Sequence, residues 1–152
     1  SDTIAKLYKF VPLKPPPDYN YVDAAIAGPV NKNECYPEIA FLNSPPAGIQ
    51  SNINFNEKVQ KVGKTTGHNY GSVIGTNIAL MNVPYYDIGQ SFHFDGLIQS
   101  DFESKNGDSG ALVLNMKNEA VGLNTFYDLF SSYFSPIDNV CSSLGIQIPK
   151  EV

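Results

Sequence analysis

The segment Asn106-Gly107-Asp108-Ser109-Gly110-Ala111-Leu112-Val113 places a serine in a glycine-rich turn that leads into an apolar run. A serine hydroxyl is a weak nucleophile until a base removes its proton, and the oxyanion formed by its attack needs backbone N–H donors. The glycines allow a tight turn that points the N–H groups of Gly107 and Ser109 into one pocket. The segment therefore predicts a nucleophilic Ser109 and an oxyanion hole at Gly107 and Ser109. An ordinary surface turn is the alternative interpretation.

Two aspartates are candidates for the acid that orients a catalytic base. Asp108 adjoins the nucleophile and must point away from it, so we expect it to anchor the loop from beneath. Asp23 lies in the apolar segment Val22-Asp23-Ala24-Ala25-Ile26-Ala27, where a buried carboxylate is costly unless it is paired or hydrogen-bonded. We expect Asp23 to orient an imidazole and to stabilise its charged form. A strand-edge aspartate that faces water is the alternative.

The size and charge of the chain limit the classes of protein to which it can belong. At 152 residues, with 42% hydrophobic and 16% charged residues, it is long enough for one globular domain or two very small ones. Ten basic and 15 acidic side chains give a net charge of −5, without the basic stripe of a nucleic-acid-binding protein. No apolar run approaches the length that spans a bilayer. We therefore expect neither nucleic acid nor a membrane as partner.

Cysteine and histidine usage argues against a disulfide framework and a metal centre. Cys35 and Cys141 are far apart in the sequence, and we expect free, buried thiols, which are typical of a reducing compartment. The N-terminal residues also lack the apolar core of a signal peptide, so the pattern favours the cytoplasm. Neither an HExxH nor a CxxC motif occurs, and we expect no metal and no other cofactor.

The composition predicts an all-β fold with one short helix. Glycine, proline, tyrosine and phenylalanine are abundant, which favours short strands joined by turns. One turn is expected at Asn69-Tyr70-Gly71, and Pro136 and Gly145 bound a predicted C-terminal helix. Residues 28–56 have the Gly, Pro, Asn and Ser content of a linker. Strands are predicted over residues 4–13, 21–27, 58–62, 71–80, 92–100, 110–115, 120–126 and 132–135.

The order of several motifs resembles that of trypsin-like (chymotrypsin-fold) serine proteases. These motifs are Val22–Ala27, Lys61-Val62-Gly63-Lys64-Thr65-Thr66-Gly67, the Gly-Asp-Ser-Gly turn and Val121-Gly122-Leu123-Asn124-Thr125-Phe126. The closing segment Phe134–Val140 resembles the bacterial branch. The resemblance implies a double β-barrel, in which residues 1–30 are a partial first barrel with Asp23. Residues 31–56 would be the inter-barrel linker, and residues 57–152 a complete second barrel with Ser109 and the helix.

The same resemblance implies a serine endopeptidase that hydrolyses a polypeptide through an acyl-enzyme. It implies that Thr125 supports the aspartate and that Phe126 packs beside the substrate. Glu103 falls where the family's specificity pocket has its floor, which would favour a basic P1 side chain. Tyr127 falls where the family often has a glycine, which would favour small ones. These two signs conflict, so no P1 preference follows, and both residues can equally be ordinary loop residues.

The general base of such a protease is missing from its expected place. The family order is His, Asp, Ser, but none of the 22 residues before Asp23 is a histidine. We therefore expect an N-terminal truncation, with the base on a missing segment of the same protein. His68 lies beside the predicted turn, where we expect a solvated or locally hydrogen-bonded histidine rather than a base. A rewired pair of His93 with Ser109 is an alternative, but it would break the family order. A catalytically inactive, protease-like binding or scaffold module is the main alternative, and a carbohydrate- or peptide-binding β-barrel is a weaker one.

Overall fold

The computed structural model describes residues 3–149, which form ten β-strands, two short 3₁₀ turns and one α-helix. The 3₁₀ turns are Lys32–Glu34 and Tyr86–Ile88. The strands, in chain order, are β1 (Ala5–Phe10), β2 (Tyr19–Asn20), β3 (Ala25–Pro29), β4 (Gly48–Ile49), β5 (Lys58–Gly63), β6 (Gly67–Tyr85), β7 (Gln90–Ser100), β8 (Leu112–Asn115), β9 (Glu119–Tyr127) and β10 (Ser132–Pro136), and the helix α1 is Ile137–Leu144. The prediction of a mostly β chain with a short C-terminal helix is confirmed.

Six strands form the main body of the molecule. They are hydrogen-bonded in the order β10-β7-β6-β5-β8-β9, and β9 also pairs with β10, so the pairings run in a ring. Two short strands join this ring as parallel neighbours, β2 beside β7 and β4 beside β9. The remaining two strands, β1 and β3, form a separate antiparallel pair. Ser109 precedes β8, whereas Asp23 precedes β3.

The core of the ring draws one apolar residue from each of its six strands. Because alternate side chains of a strand face opposite sides, each strand offers one row to this shared interior. Phe102, which follows β7, completes the cluster. Its buried members are Val59, Val73, Ile98, Phe102, Val113, Val121 and Phe134. Full burial of such a side chain stabilises the fold by about 1.5–3 kcal/mol. This cluster therefore stabilises the strands that carry the candidate site.

A second apolar cluster connects the segment around Asp23 to the helix. Val22 and Ala24 are buried against Val140 and Leu144 of α1. The helix ends at Gly145, whose φ of 67° places it in the left-handed region that favours glycine. Asp23 lies between the two residues that pack on α1. The helix therefore fixes the backbone on both sides of the candidate acid.

The structure corrects two details of the predicted strands. Asp23 is outside a strand, because β3 begins only at Ala25. The predicted turn at 69–71 is wrong, because β6 runs without a break through these residues and the turn lies at residues 64–66. Gly71 serves close packing instead: a Cβ atom there would lie 2.5 Å from the Phe102 amide nitrogen.

The cysteines are free thiols, as expected, but their predicted burial is wrong. Cys35 is exposed and Cys141 is half-buried. Within residues 3–149, no helix has the length and apolar character needed to cross a membrane.

Candidate active site

Ser109 lies in a turn that presents its side chain to solvent. Gly110 has a φ of 85°, a conformation that residues with a side chain rarely adopt. A backbone hydrogen bond from Gly110 N to the Asn124 carbonyl at 2.8 Å ties the turn to β9, and one from Ala111 N to the Asp108 carbonyl at 3.1 Å closes the turn itself. The Ser109 hydroxyl donates to the Thr125 carbonyl at 3.2 Å. The nucleophile candidate is thus exposed but held against the end of β9.

An oxyanion hole needs N–H groups without an acceptor in the protein, and the amides of Gly107 and Ser109 meet this requirement among the described residues. Within the described part of the chain, neither N–H group donates a hydrogen bond to the protein. Gly107 has a φ of 102°, and a Cβ atom there would lie 2.6 Å from Thr65 Oγ1. That Thr65 hydroxyl donates to the Asn106 carbonyl at 2.6 Å, which fixes the peptide before Gly107. Both the backbone conformation and the close approach therefore require glycine at position 107.

Asp108 anchors this turn from beneath, as the sequence predicted. Its side chain is 0% exposed. Oδ1 accepts hydrogen bonds from the amides of Thr65 and Thr66 at 2.7 and 3.2 Å. Oδ2 accepts from the Thr66 hydroxyl at 2.7 Å and from Lys105 N at 3.0 Å. Lys61 Nζ lies 3.5 Å from Oδ2, so one carboxylate connects the turn to β5 and to residues 64–66.

The charges beneath the turn are unequally stabilised. Burial opposes ionisation of Asp108, but the hydrogen bonds from Thr66, Thr65 and Lys105 outweigh it and hold its pKa well below the ordinary value. The Lys61 ammonium is also 0% exposed. Burial lowers the pKa of Lys61, although the Asp108 carboxylate counteracts this effect. The carboxylate is thus well satisfied where it lies, while the ammonium is held at a cost in hydration.

Asp23 is bound by a tyrosine from the six-stranded ring. Tyr85 donates its hydroxyl to Asp23 Oδ2 at 2.5 Å, and its ring meets the edge of Phe92 at a centroid distance of 5.1 Å. Burial and, to a smaller degree, the Asp23 carboxylate raise the pKa of Tyr85 far above its ordinary value, so the phenol remains a donor. No direct hydrogen bond joins Asp23 to Ser109 within the described residues. Aromatic packing runs from Tyr85 through Phe94 to Phe126, the residue after Thr125.

Neither histidine is placed to activate Ser109 in this structure. His93 is buried, and its Nδ1 accepts a hydrogen bond from Asn82 N at 3.1 Å. His68 Nε2 lies 2.8 Å from Gln60 Oε1, in keeping with the expectation of a locally hydrogen-bonded residue. The rewired pair of His93 with Ser109 that the sequence left open is therefore not formed.

The end of β9 borders the nucleophile with an open edge. On one side, residues 125–127 continue past the last β8 pairing at Leu123, and on the other side β10 pairs with them. The Thr125 hydroxyl donates to the Leu123 carbonyl at 3.0 Å, so it does not support Asp23 as the resemblance implied. Phe126 packs on Phe94 with ring centroids 4.6 Å apart.

Glu103 and Tyr127 line the same cavity, one of about 370 Å³. The Glu103 carboxylate pairs with Lys105 Nζ at 2.6 Å, and both side chains are about 60% exposed. The Tyr127 hydroxyl donates to Asn106 Oδ1 at 3.0 Å. That Glu103 and Tyr127 contribute to one specificity pocket stays a prediction. No P1 preference follows from this cavity, because the Glu103 carboxylate already has a cationic partner in Lys105.

Lys61 and Tyr85 bind the two aspartates of the site, although the sequence assigned neither residue a role. Lys61 pairs with Asp108 and Tyr85 binds Asp23. Lys61 had a recognisable signal, because it lies two residues after Val59 and therefore shares the core-facing side of β5. A lysine on that side needs a buried anion. Tyr85 had no comparable signal, since its contact with Asp23 spans 62 positions of the chain.

Comparison with solved structures identifies the fold. Protease A of Thermobifida fusca is 24% identical over 70% of this chain and superposes with a TM-score of 0.58. A Cellulomonas bogoriensis chymotrypsin is 20% identical over 88% of this chain with a TM-score of 0.64, and a Nocardiopsis protease is 15% identical over 88% with a TM-score of 0.66. The chain has the chymotrypsin-like fold.

This likeness is one of fold, at sequence identities below 25%. The chain spans 55% of the length of the Thermobifida protease, 73% of the Cellulomonas chymotrypsin and 71% of the Nocardiopsis protease. No model of a protein family matches the sequence, and a comparison with curated proteins found no match either. The chymotrypsin-like fold that the motifs predicted is confirmed.

Proposed function

We propose that this chain carries the nucleophile and the acid of a serine endopeptidase of trypsin-like type. The observation that carries the proposal is the turn at Ser109, where an exposed hydroxyl adjoins two amides that donate to no acceptor among residues 3–149. The buried Asp108 carboxylate holds this turn through hydrogen bonds from the Thr65 amide and the Thr66 hydroxyl. Acyl transfer requires an accessible nucleophile beside N–H donors that are free to bind the oxyanion.

The proposed reaction proceeds through an acyl-enzyme. A general base takes the proton from Ser109 Oγ as the oxygen bonds to the scissile carbonyl carbon, and the N–H groups of Gly107 and Ser109 stabilise the oxyanion. Collapse of this intermediate breaks the C–N bond, and the base returns its proton to the leaving amine. Water then attacks the ester by the same route in reverse, releasing the carboxylate product and the Ser109 hydroxyl.

The base in this proposal is a histidine from another segment of the same protein. His68 and His93 both have partners away from Ser109. Asp23 would orient the incoming imidazole and stabilise its charged form. Tyr85 binds only Oδ2 of Asp23, which leaves Oδ1 as an acceptor for an imidazole N–H. Peptidase activity of residues 1–152 alone is accordingly expected to be negligible.

A protease-like binding or scaffold module is the second candidate function. The observation that favours it is the hydroxyl of Ser109, whose proton is directed to the Thr125 carbonyl rather than to a nitrogen base. In such a module, the open edge of residues 125–127 would bind a polypeptide without cleaving it.

Covalent labelling distinguishes the two candidates. The chain is treated with a fluorophosphonate probe with and without added imidazole, which can substitute for an absent histidine base, and the adduct is mapped. The endopeptidase proposal predicts an adduct on Ser109 whose rate of formation rises with imidazole and which Ser109→Ala abolishes. Ser142→Ala, at an exposed serine of α1, is the matched control and should label normally. An adduct that survives Ser109→Ala, or no adduct at any imidazole concentration, would refute the proposal.

A further inference from the structure

Asn124 is a buried asparagine beneath the Ser109 turn, and only 2% of its surface is exposed. Its side-chain Nδ2 donates to Ser104 Oγ at 2.8 Å and to the Asp108 carbonyl at 3.1 Å. Its Oδ1 is buried and has no hydrogen-bond partner among residues 3–149. A buried acceptor without a partner costs free energy. An asparagine that is kept at this cost indicates a use for the hydrogen bonds that its Nδ2 donates.

The backbone of Asn124 is locked to the same turn. Gly110 N donates to the Asn124 carbonyl at 2.8 Å, and Asn124 N donates to the Ala111 carbonyl at 2.9 Å. On its other side, Asn124 pairs with Phe134 of β10. The side chain therefore reaches the Asp108 carbonyl from a fixed position in β9, so this hydrogen bond has a defined direction.

The hydrogen bond from Asn124 sets the direction of one candidate oxyanion donor. The Asp108 carbonyl belongs to the same planar peptide group as the Ser109 N–H, and in a trans peptide these two groups point in opposite directions. Asn124 Nδ2 and Ala111 N both hold the carbonyl. The Ser109 N–H therefore points away from them, and it meets no acceptor in the described part of the chain.

The second candidate donor is directed in the same way from another segment. The Thr65 hydroxyl donates to the Asn106 carbonyl at 2.6 Å, and that carbonyl shares its peptide group with the Gly107 N–H. The two peptide groups that would bind the oxyanion are thus each held at the carbonyl end by a side chain, one from β9 and one from the turn at residues 64–66.

We propose that Asn124 is a positioning residue that directs the Ser109 N–H into the oxyanion hole by holding the Asp108 carbonyl, as Thr65 does for the Gly107 N–H. The proposal rests on the proposed function, because an oxyanion forms only when Ser109 attacks a carbonyl carbon. Each side chain acts through a peptide group rather than on the substrate. Donors that are already fixed need no reorganisation as the negative charge develops, so loss of either side chain should slow the reaction of Ser109.

Residual dipolar couplings of the ¹⁵N-labelled chain report the direction of each N–H group. Asn124→Leu keeps a side chain of similar size but cannot donate, and we expect it to change the coupling of Ser109 while that of Gly107 stays. Thr65→Val keeps the shape but lacks the hydroxyl, so it should change the coupling of Gly107 alone, and Thr65→Ser should restore it. Asn124→Ala repeats the measurement with a smaller side chain if Asn124→Leu does not fold.

Ser104→Ala is the matched control. It removes the other acceptor of the Asn124 amide and leaves the hydrogen bond to the Asp108 carbonyl in place. If Asn124 served only to tether Ser104, this variant would behave like Asn124→Leu. We expect the couplings of Ser109 and Gly107 to keep their wild-type values in Ser104→Ala.

The rate of fluorophosphonate labelling in the presence of imidazole connects the direction of the N–H groups to the chemistry. Removing an oxyanion donor lowers a rate by about a hundredfold to a thousandfold, whereas Asn124→Leu loosens a donor without removing it. We therefore expect labelling of Ser109 to slow roughly tenfold in Asn124→Leu and in Thr65→Val. Thr65→Ser and Ser104→Ala should label at the wild-type rate.

The outcomes separate this inference from the proposed function. An unchanged Ser109 coupling in the folded Asn124 variants, or equal changes in Asn124→Leu and Ser104→Ala, would overturn the role of Asn124. If fluorophosphonate labels Ser109 of the wild type in that case, the endopeptidase proposal stands and Asn124 has no part in it. If the couplings change as expected but Ser109 of the wild type is never labelled, Asn124 still directs the N–H group and the endopeptidase proposal fails.

Discussion

Lys61 and Asp108 form a buried pair, and replacing one or the other should lower the free energy of unfolding by different amounts. Both side chains are 0% exposed and 3.5 Å apart. Asp108→Asn keeps the shape but removes the negative charge, and Lys61→Met keeps the length but removes the positive charge. The two substitutions and their combination therefore test which member the turn beneath Ser109 needs.

The hydrogen bonds of the pair give the expected magnitudes. In Lys61→Met, the Asp108 carboxylate keeps its four hydrogen bonds from Thr65, Thr66 and Lys105. The variant loses the hydrogen bond from Lys61 to the Thr66 hydroxyl, worth about 1 kcal/mol, and the long one to Asp108 Oδ2 at 3.5 Å. Lys61 Nζ lies 5.4 Å from the centre of the Phe102 ring, so methionine can still pack on that ring. Asp108→Asn instead leaves a buried ammonium without a counter-ion, which costs about 3–5 kcal/mol.

Urea unfolding followed by circular dichroism measures these free energies. We expect Lys61→Met to lower the free energy of unfolding by about 1 kcal/mol and Asp108→Asn to lower it by about 3–5 kcal/mol. The double variant should be more stable than Asp108→Asn alone, because the uncompensated ammonium is gone. Equal losses in the two single variants, or a double variant less stable than Asp108→Asn, would refute this account of the charges.

Three further predictions concern the same loop and the candidate acid. Gly63→Ala should destabilise the chain and displace the Asp108 carboxylate, because the new Cβ atom would lie 2.3 Å from Asp108 Oδ1. Thermal unfolding measures this loss, and Gly28→Ala, where the new Cβ atom has its nearest contacts at 4.0 Å, is the control. The pKa of Asp108 in the folded state is below the ordinary 3.8. Its carboxylate therefore stabilises the fold fully above that pH, and this stabilisation is lost as the pH falls further. We expect the free energy of unfolding to decrease more steeply below about pH 4 in the wild type than in Asp108→Asn. Tyr85→Phe should lower the free energy of unfolding by about 1.5–3 kcal/mol through the lost bond to Asp23. No such loss should appear in an Asp23→Ala background, where the acceptor is absent.

Much of the fold follows from local patterns in the sequence. The strands after residue 57 were predicted from short apolar segments between turn residues, and each has a counterpart within a few residues of its expected place. The helix was predicted from Pro136, the apolar spacing and Gly145, and it spans Ile137–Leu144. These signals are reliable because capping and strand alternation depend on neighbours in the chain.

Errors arose where a residue serves a distant contact. Gly71 looks like a turn glycine, yet it lies within β6 and makes room for the Phe102 backbone. Thr125 was expected to support Asp23, but its hydroxyl binds within its own strand. A sequence window shows that glycine or threonine is present without showing which remote group will approach it.

The tight, exposed conformation of the Ser109 turn was determined by the sequence itself. A serine among glycines, followed by an apolar strand, specifies a tight exposed turn through local backbone freedom alone. Only the tertiary structure decided what surrounds that turn. The ion pair of Lys61 with Asp108 joins residues 47 positions apart, and the hydrogen bond of Tyr85 with Asp23 joins residues 62 positions apart. Such contacts form because the ring of six strands brings remote segments together, and the free energy that selects them comes from burial of the whole core rather than from any one segment.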